Sequence, residues 1–81
     1  MSKKSLKIRI VPEKPQKAIR KLEKNGFVLK SKVGSHFYYY KKKDGKDRLA
    51  CVFVHPKELG KPAIKNIIRN AGKSNKEWVS L

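Results

Sequence analysis

Acid is scarce in this chain. Its 81 residues hold six Asp and Glu against 22 Lys and Arg, a formal net charge of +16. A surface of interleaved ion pairs, of the kind thermophile-like compositions build, needs both signs in number, and this sequence does not have them. The six acids (Glu13, Glu23, Asp44, Asp47, Glu58 and Glu77) are scattered, and no two have the spacing of metal ligands. Cysteine is nearly absent. Cys51 alone closes no intrachain disulfide and reads as a small hydrophobe in an apolar strand. One cysteine with two distant histidines makes no zinc site. No run approaches the roughly 20 apolar residues that cross a bilayer, and no apolar stretch follows the N-terminus as a secretory leader would require. No glycine-rich loop leads into Lys-Ser or Lys-Thr to cradle a nucleotide. Repeats and low-complexity tracts are missing too. These absences predict one small cytoplasmic domain that works without a metal or other cofactor.

The excess of base over acid points to a polyanionic partner. Apolar residues make up 38% of the chain and fall into periodic segments, so the charge sits on a folded body and not on a disordered tail. A basic folded domain carries the electrostatic footprint of a nucleic-acid binder, with salt-sensitive and largely sequence-blind affinity. At this length the core is small and the stability modest.

Residues 1–12 read as a basic arm or short edge strand. Leu6, Ile8 and Ile10 alternate with Lys7 and Arg9, and Pro12 stops the run. A domain over 13–81 follows. Its first helix begins near Pro15, buries a stripe of Ala18, Ile19 and Leu22, and ends at Gly26. Lys17, Arg20, Lys21 and Lys24 are placed on its opposite side as a basic stripe. Strands are expected at Phe27–Lys32, Ser35–Lys42 and Arg48–Val54, with Asp44-Gly45 turning the second into the third. A second helix spans about Pro62–Ala71, with Ala63, Ile64, Ile67, Ile68 and Ala71 as its core face and Gly72 as its stop. Ser74-Asn75-Lys76-Glu77 has capping-box spacing and should start a last turn that tucks Trp78, Val79 and Leu81 onto the body. The class is α+β, in the order α-β-β-β-α, with helices on one face of a three-stranded antiparallel meander. The third strand is apolar on both sides, so alternation does not say which face the helices cover.

Gly34-Ser35-His36 is the stretch with chemical promise. An imidazole takes up and releases a proton near neutral pH, and this one heads the aromatic strand Phe37-Tyr38-Tyr39-Tyr40. Gly34 admits close backbone approach, and Ser35 offers a hydroxyl and an N–H to phosphate, although both residues also suit a plain turn. RNA cleavage needs no metal if the 2′-hydroxyl attacks its own phosphate. It needs a base, an acid and positive charge, and histidine and lysine supply these. The aromatics could stack on bases, although alternation commits about half of them to the core. A two-residue turn at Asp44-Gly45 sets Lys43 opposite Lys46. Counting back then pairs Tyr40 with Leu49, Tyr38 with Cys51 and His36 with Phe53. His36 then lies diagonal to His55, and the two could divide base and acid roles. His55 could equally be a loop residue bonded to backbone.

Taken in order, Leu22-Glu23-Lys24-Asn25-Gly26-Phe27, Gly34-Ser35-His36, Asp44-Gly45, His55, Lys57-Glu58-Leu59 and Ile67-Ile68-Arg69-Asn70-Ala71-Gly72 resemble the HicA family of mRNA interferase toxins. The resemblance covers about residues 13–81. It implies the double-stranded-RNA-binding-domain fold and a ribosome-independent, metal-independent endoribonuclease acting on single-stranded or messenger RNA. It also implies His36 as the catalytic residue and a HicB-type antitoxin that covers the active site. Two departures stand out. Phe53 occupies a place where the family usually has proline, and Lys61-Pro62-Ala63 replace Gly-Thr-Leu at the start of the second helix after a loop one residue shorter. The expected RNA contacts are Lys17, Arg20, Lys21, Lys24, Lys30, Lys32, Gly34 and Ser35, with His36 and His55 as the proton-transfer pair. Two other functions fit the composition: a non-catalytic RNA-binding module of the same fold, and a basic accessory protein that docks on an acidic partner.

Overall fold

The computed structural model describes residues 9–43 and 45–81. Its elements run α1 (Pro15–Lys24), β1 (Val28–Val33), β2 (His36–Lys43), β3 (Lys46–Phe53), α2 (Lys61–Asn70) and α3 (Asn75–Val79). The strands form an antiparallel sheet in the order β1-β2-β3, and the helices pack on one side of it. The fold is the expected α+β meander.

Local sequence explains the boundaries. Pro15 opens α1, where its missing N–H is no loss. Gly26 at φ 87° and Gly72 at φ 72° supply the left-handed turns that follow α1 and α2. Ser74 Oγ accepts from Glu77 N while Glu77 Oε1 accepts from Ser74 N, so the expected capping box starts α3.

The β2–β3 register is the one counted from the turn: Lys43 with Lys46, Tyr40 with Leu49, Tyr38 with Cys51, His36 with Phe53. Gly45 takes φ 76°; Asp44 lies outside the described residues. This register sends Tyr39, Ala50 and Val52 to the helix side, where all three are buried with Ala18, Leu22, Ile64, Ile67, Ile68 and Trp78. Ala50, small and opposite Tyr39, lets the helices approach the sheet. Among the described residues, no layer covers the other face. Val28, Val33, Leu49 and Phe53 are exposed.

Two placements, those of Lys21 and Val79, differ from expectation. Lys21 is buried instead of lying in the basic stripe of α1, because its Nζ meets Glu13 Oε2 at 2.6 Å and sits 5.1 Å from the centre of the Trp78 ring. Val79 is exposed, and only Trp78 and, in part, Leu81 reach the core from the C-terminal turn. The alternating strand proposed around Leu6, Lys7 and Ile8 lies outside the described residues. Arg9 and Ile10 are not in a strand, yet Ile10 is buried in the core. The chain is then fastened by Glu13, whose backbone exchanges two hydrogen bonds with Leu59, at 3.2 and 2.6 Å. Among the described residues, no helix is long and apolar enough to cross a membrane.

Candidate active site on the open sheet face

His36 is the first residue of β2. Gly34 and Ser35 form the two-residue turn before it, since Val33 and His36 are paired. Gly34 takes φ 59°, a conformation that favours glycine, and the space where its side chain would stand is empty to 4 Å. Ser35 O accepts from Val54 N at 2.8 Å, so the turn is tied to the far end of β3 as well as to β1. Together these bonds hold an exposed imidazole at the rim of a rigid sheet.

The face is fixed by register. His36, Tyr38 and Tyr40 alternate with Phe37 and Tyr39, and the second pair faces the helices. His36 therefore stands on the uncovered side, with Cys51 and Phe53 as its β3 neighbours. Its Nδ1 is 3.7 Å from Cys51 Sγ. Its ring stacks on Phe53, with centroids 5.1 Å apart and planes at 27°. Phe53 in turn touches the His55 ring, with centroids 4.8 Å apart and planes at 51°. The two histidines thus border one phenyl ring from β3 and from the loop after it. His55 Nδ1 accepts from Lys57 N at 3.1 Å, so its neutral ring carries the proton on Nε2. It is a loop residue bonded to backbone, and it also stands beside the ring that His36 stacks on.

The expected RNA-contact residues divide between two surfaces. Gly34 and Ser35 adjoin His36. Lys30 lies at an irregularity in the β1–β2 pairing, between Leu29 and Ser31, and its Nζ rests 4.9 Å from the centre of the Tyr40 ring on the open face. Lys32 instead lies 4.9 Å from the ring of Phe37, which packs against the core. Lys17, Arg20 and Lys24 are exposed in the helical layer, across the sheet from His36. Lys21 is buried in its ion pair with Glu13.

Two tyrosines are perturbed. Tyr40 Oη donates to Asp47 Oδ1 at 3.0 Å, and that bond, helped by desolvation and the Asp47 charge, raises the phenol above its usual pKa. Tyr39 is raised by burial first and by the charge of Glu23 second. Neither phenol is poised to lose a proton near neutral pH. Among the described residues, no three His, Cys, Asp or Glu side chains gather as a metal site.

Cys51, a small packed hydrophobe by its sequence, is only half-buried on this face beside Phe53. The hairpin count already set Phe53 opposite His36 and Cys51 on a diagonal to it, so the signal was present in the register.

Residues 15–73 match the model of the family described as HicA toxin of bacterial toxin-antitoxin. The chain belongs to the HicA toxin family. The matched stretch takes in the turn at Gly34, His36, Phe53 and His55, and stops before the capping box and Trp78. No curated protein matches the chain.

Proposed function

We propose that this protein is the toxin of a toxin–antitoxin pair and a metal-independent endoribonuclease, with His36 as its proton-transfer residue. The observation that carries the reading is the exposed His36 imidazole on the uncovered sheet face of a chain of charge +16. Membership in the HicA toxin family supports it.

The chemistry asks little of the scaffold. The ribose 2′-oxygen bonds to the adjacent phosphorus, the bond from phosphorus to the 5′-oxygen breaks, and one proton leaves the first oxygen as another reaches the second. His36 takes or gives one of these protons. Its Nδ1 faces Cys51, which leaves Nε2 as the candidate atom for the transfer. His55 holds its own proton on Nε2 and is the candidate for the complementary step. Backbone at Gly34 and Ser35 lies open to a phosphate. The partner is a HicB-type antitoxin covering this face, which the charge of the toxin predicts to be acidic where it docks. Incubating single-stranded RNA with the protein in a chelator tests the mechanism. Products should end in 2′,3′-cyclic phosphate and 5′-hydroxyl; 3′-hydroxyl and 5′-phosphate ends would rule it out.

A second reading has one observation in its favour. Lys17, Arg20 and Lys24 lie in the helical layer, away from His36, so the helices alone offer phosphate contacts to a duplex. The protein would then be a non-catalytic RNA-binding module that recognises A-form shape and 2′-hydroxyls. Duplex affinity lost in a Lys17→Ala, Arg20→Ala, Lys24→Ala variant, with no cleavage by the parent protein, is the result that would favour it.

A further inference from the structure

Phe53 is left unused by the proton-transfer steps, yet it stands at the end of the edge strand β3, in contact with both histidines. The residue is 45% exposed, although two imidazoles contact its ring. A large apolar side chain so placed would ordinarily be under a helix, as Val52 beside it is. Scattered exposed hydrophobes need no explanation, but Phe53 continues an uncovered surface with Val33 and Leu49. The same face carries a cation toward its other end: the Lys30 ammonium lies over Tyr40, which pairs with Leu49.

We propose that Phe53 is a stacking platform for an unpaired nucleobase, which sets the phosphate attached to that base beside His36 and makes single-stranded RNA the ligand of this face. The proposal rests on the reading of His36 given above for its purpose, but its binding step does not. An RNA strand presents a flat π-face and a negative charge on every nucleotide, and this surface offers rings and positive charge side by side. A duplex hides its base faces within the stack and gives Phe53 nothing to cover. His36 stacks on the phenyl ring, and the residue is still half exposed, so the open part of the ring is the landing area with the imidazole directly beside it. Phe53 is then a positioning residue: it touches the substrate, and it acts on the reaction by fixing where the ribose lies relative to His36.

The test uses a strand that cannot be cut, so that binding is read apart from catalysis. A 2′-O-methyl oligonucleotide carrying 2-aminopurine lacks the attacking hydroxyl and reports stacking through its fluorescence. It is titrated with the wild-type protein, Phe53→Leu and Phe53→Trp, single-stranded and in a duplex. Phe53 is a surface residue, and matching thermal midpoints establish that the variants are folded. The expected result is quenching by the wild type, and affinity about 5- to 150-fold weaker with little quenching for Phe53→Leu. Phe53→Trp should keep both signals, and the duplex should bind without quenching and without regard to residue 53. Equal affinity and equal quenching for Phe53→Leu and wild type would overturn the proposal and leave the face to a protein partner. Failure to cut ordinary RNA would instead count against the nuclease reading and leave this result standing.

Discussion

Lys21 Nζ and Glu13 Oε2 meet at 2.6 Å with side-chain exposures of 7% and 6%. A lysine on a small basic protein is almost always at the surface. This one is pinned by the acid eight residues upstream and by the face of Trp78. The pair joins the segment before α1 to α1 and to the C-terminal turn.

Breaking that pair on one side should be costly. Glu13→Ala leaves an ammonium in the interior without its counter-ion and is expected to lower stability by about 3–5 kcal/mol, a large share of what a domain this small has. Replacing both members, as Glu13→Leu with Lys21→Met, should recover most of the loss. Glu13 Oε1 has no hydrogen-bond partner among the described residues, so the apolar exchange also removes an unsatisfied atom. Urea denaturation of the single and double variants measures both.

The capping box can be tested through a built-in reporter, since Trp78 is the chain's single tryptophan. Ser74→Ala removes the side-chain acceptor of the α3 cap and should cost about 1 kcal/mol. As Trp78 is buried at the centre of that turn, its emission should shift to the red before the rest of the molecule unfolds. Coincident transitions by fluorescence and circular dichroism would show instead that the turn has no separate stability.

Gly72 combines two constraints. Its φ is 72°, and a methyl group built on it would stand 2.5 Å from Cζ and Nε of Arg48. Gly72→Ala should therefore destabilise by about 1–2 kcal/mol through backbone strain. The Arg48 atoms are the far end of a flexible side chain that can swing aside, so adding Arg48→Ala should recover little and leave the strain, as melting temperatures will show.

Both perturbed phenols act in one direction. A tyrosine whose folded pKa is raised supports the fold fully below its unfolded value of 10.0, and that support is lost as pH climbs through the folded value. Stability should be flat in these groups up to about pH 10 and fall above it. Tyr39→Phe, at the buried position, should flatten part of the alkaline decline in a pH series of melting curves.

Most of the fold was legible from short-range signals. Pro15, Gly26 and Gly72 mark helix ends through backbone properties that need no tertiary context, and a turn at Asp44-Gly45 allows only one register, so His36 opposite Phe53 could be counted. The burial of Lys21 was also within reach. It is three residues from Ala18, about 60° round the helix on the side away from Leu22, which puts it at the boundary of the apolar stripe; reading charge as a sign of exposure hid this. The choice of sheet face was not legible, because β3 is apolar on both sides, and the helices settle it by packing over Ala50 and Val52. That choice separates His36 from the basic residues of α1. No local pattern on either element carries that separation.

The most direct test of the central claim is the single-turnover cleavage rate of single-stranded RNA by wild type and His36→Ala, measured in chelator with RNA affinity and thermal midpoint determined alongside. The expected result is a rate about 10²- to 10⁴-fold lower in the variant, with fold and affinity kept. A variant that cuts as fast as the wild type would contradict the assignment of His36 as the proton-transfer residue.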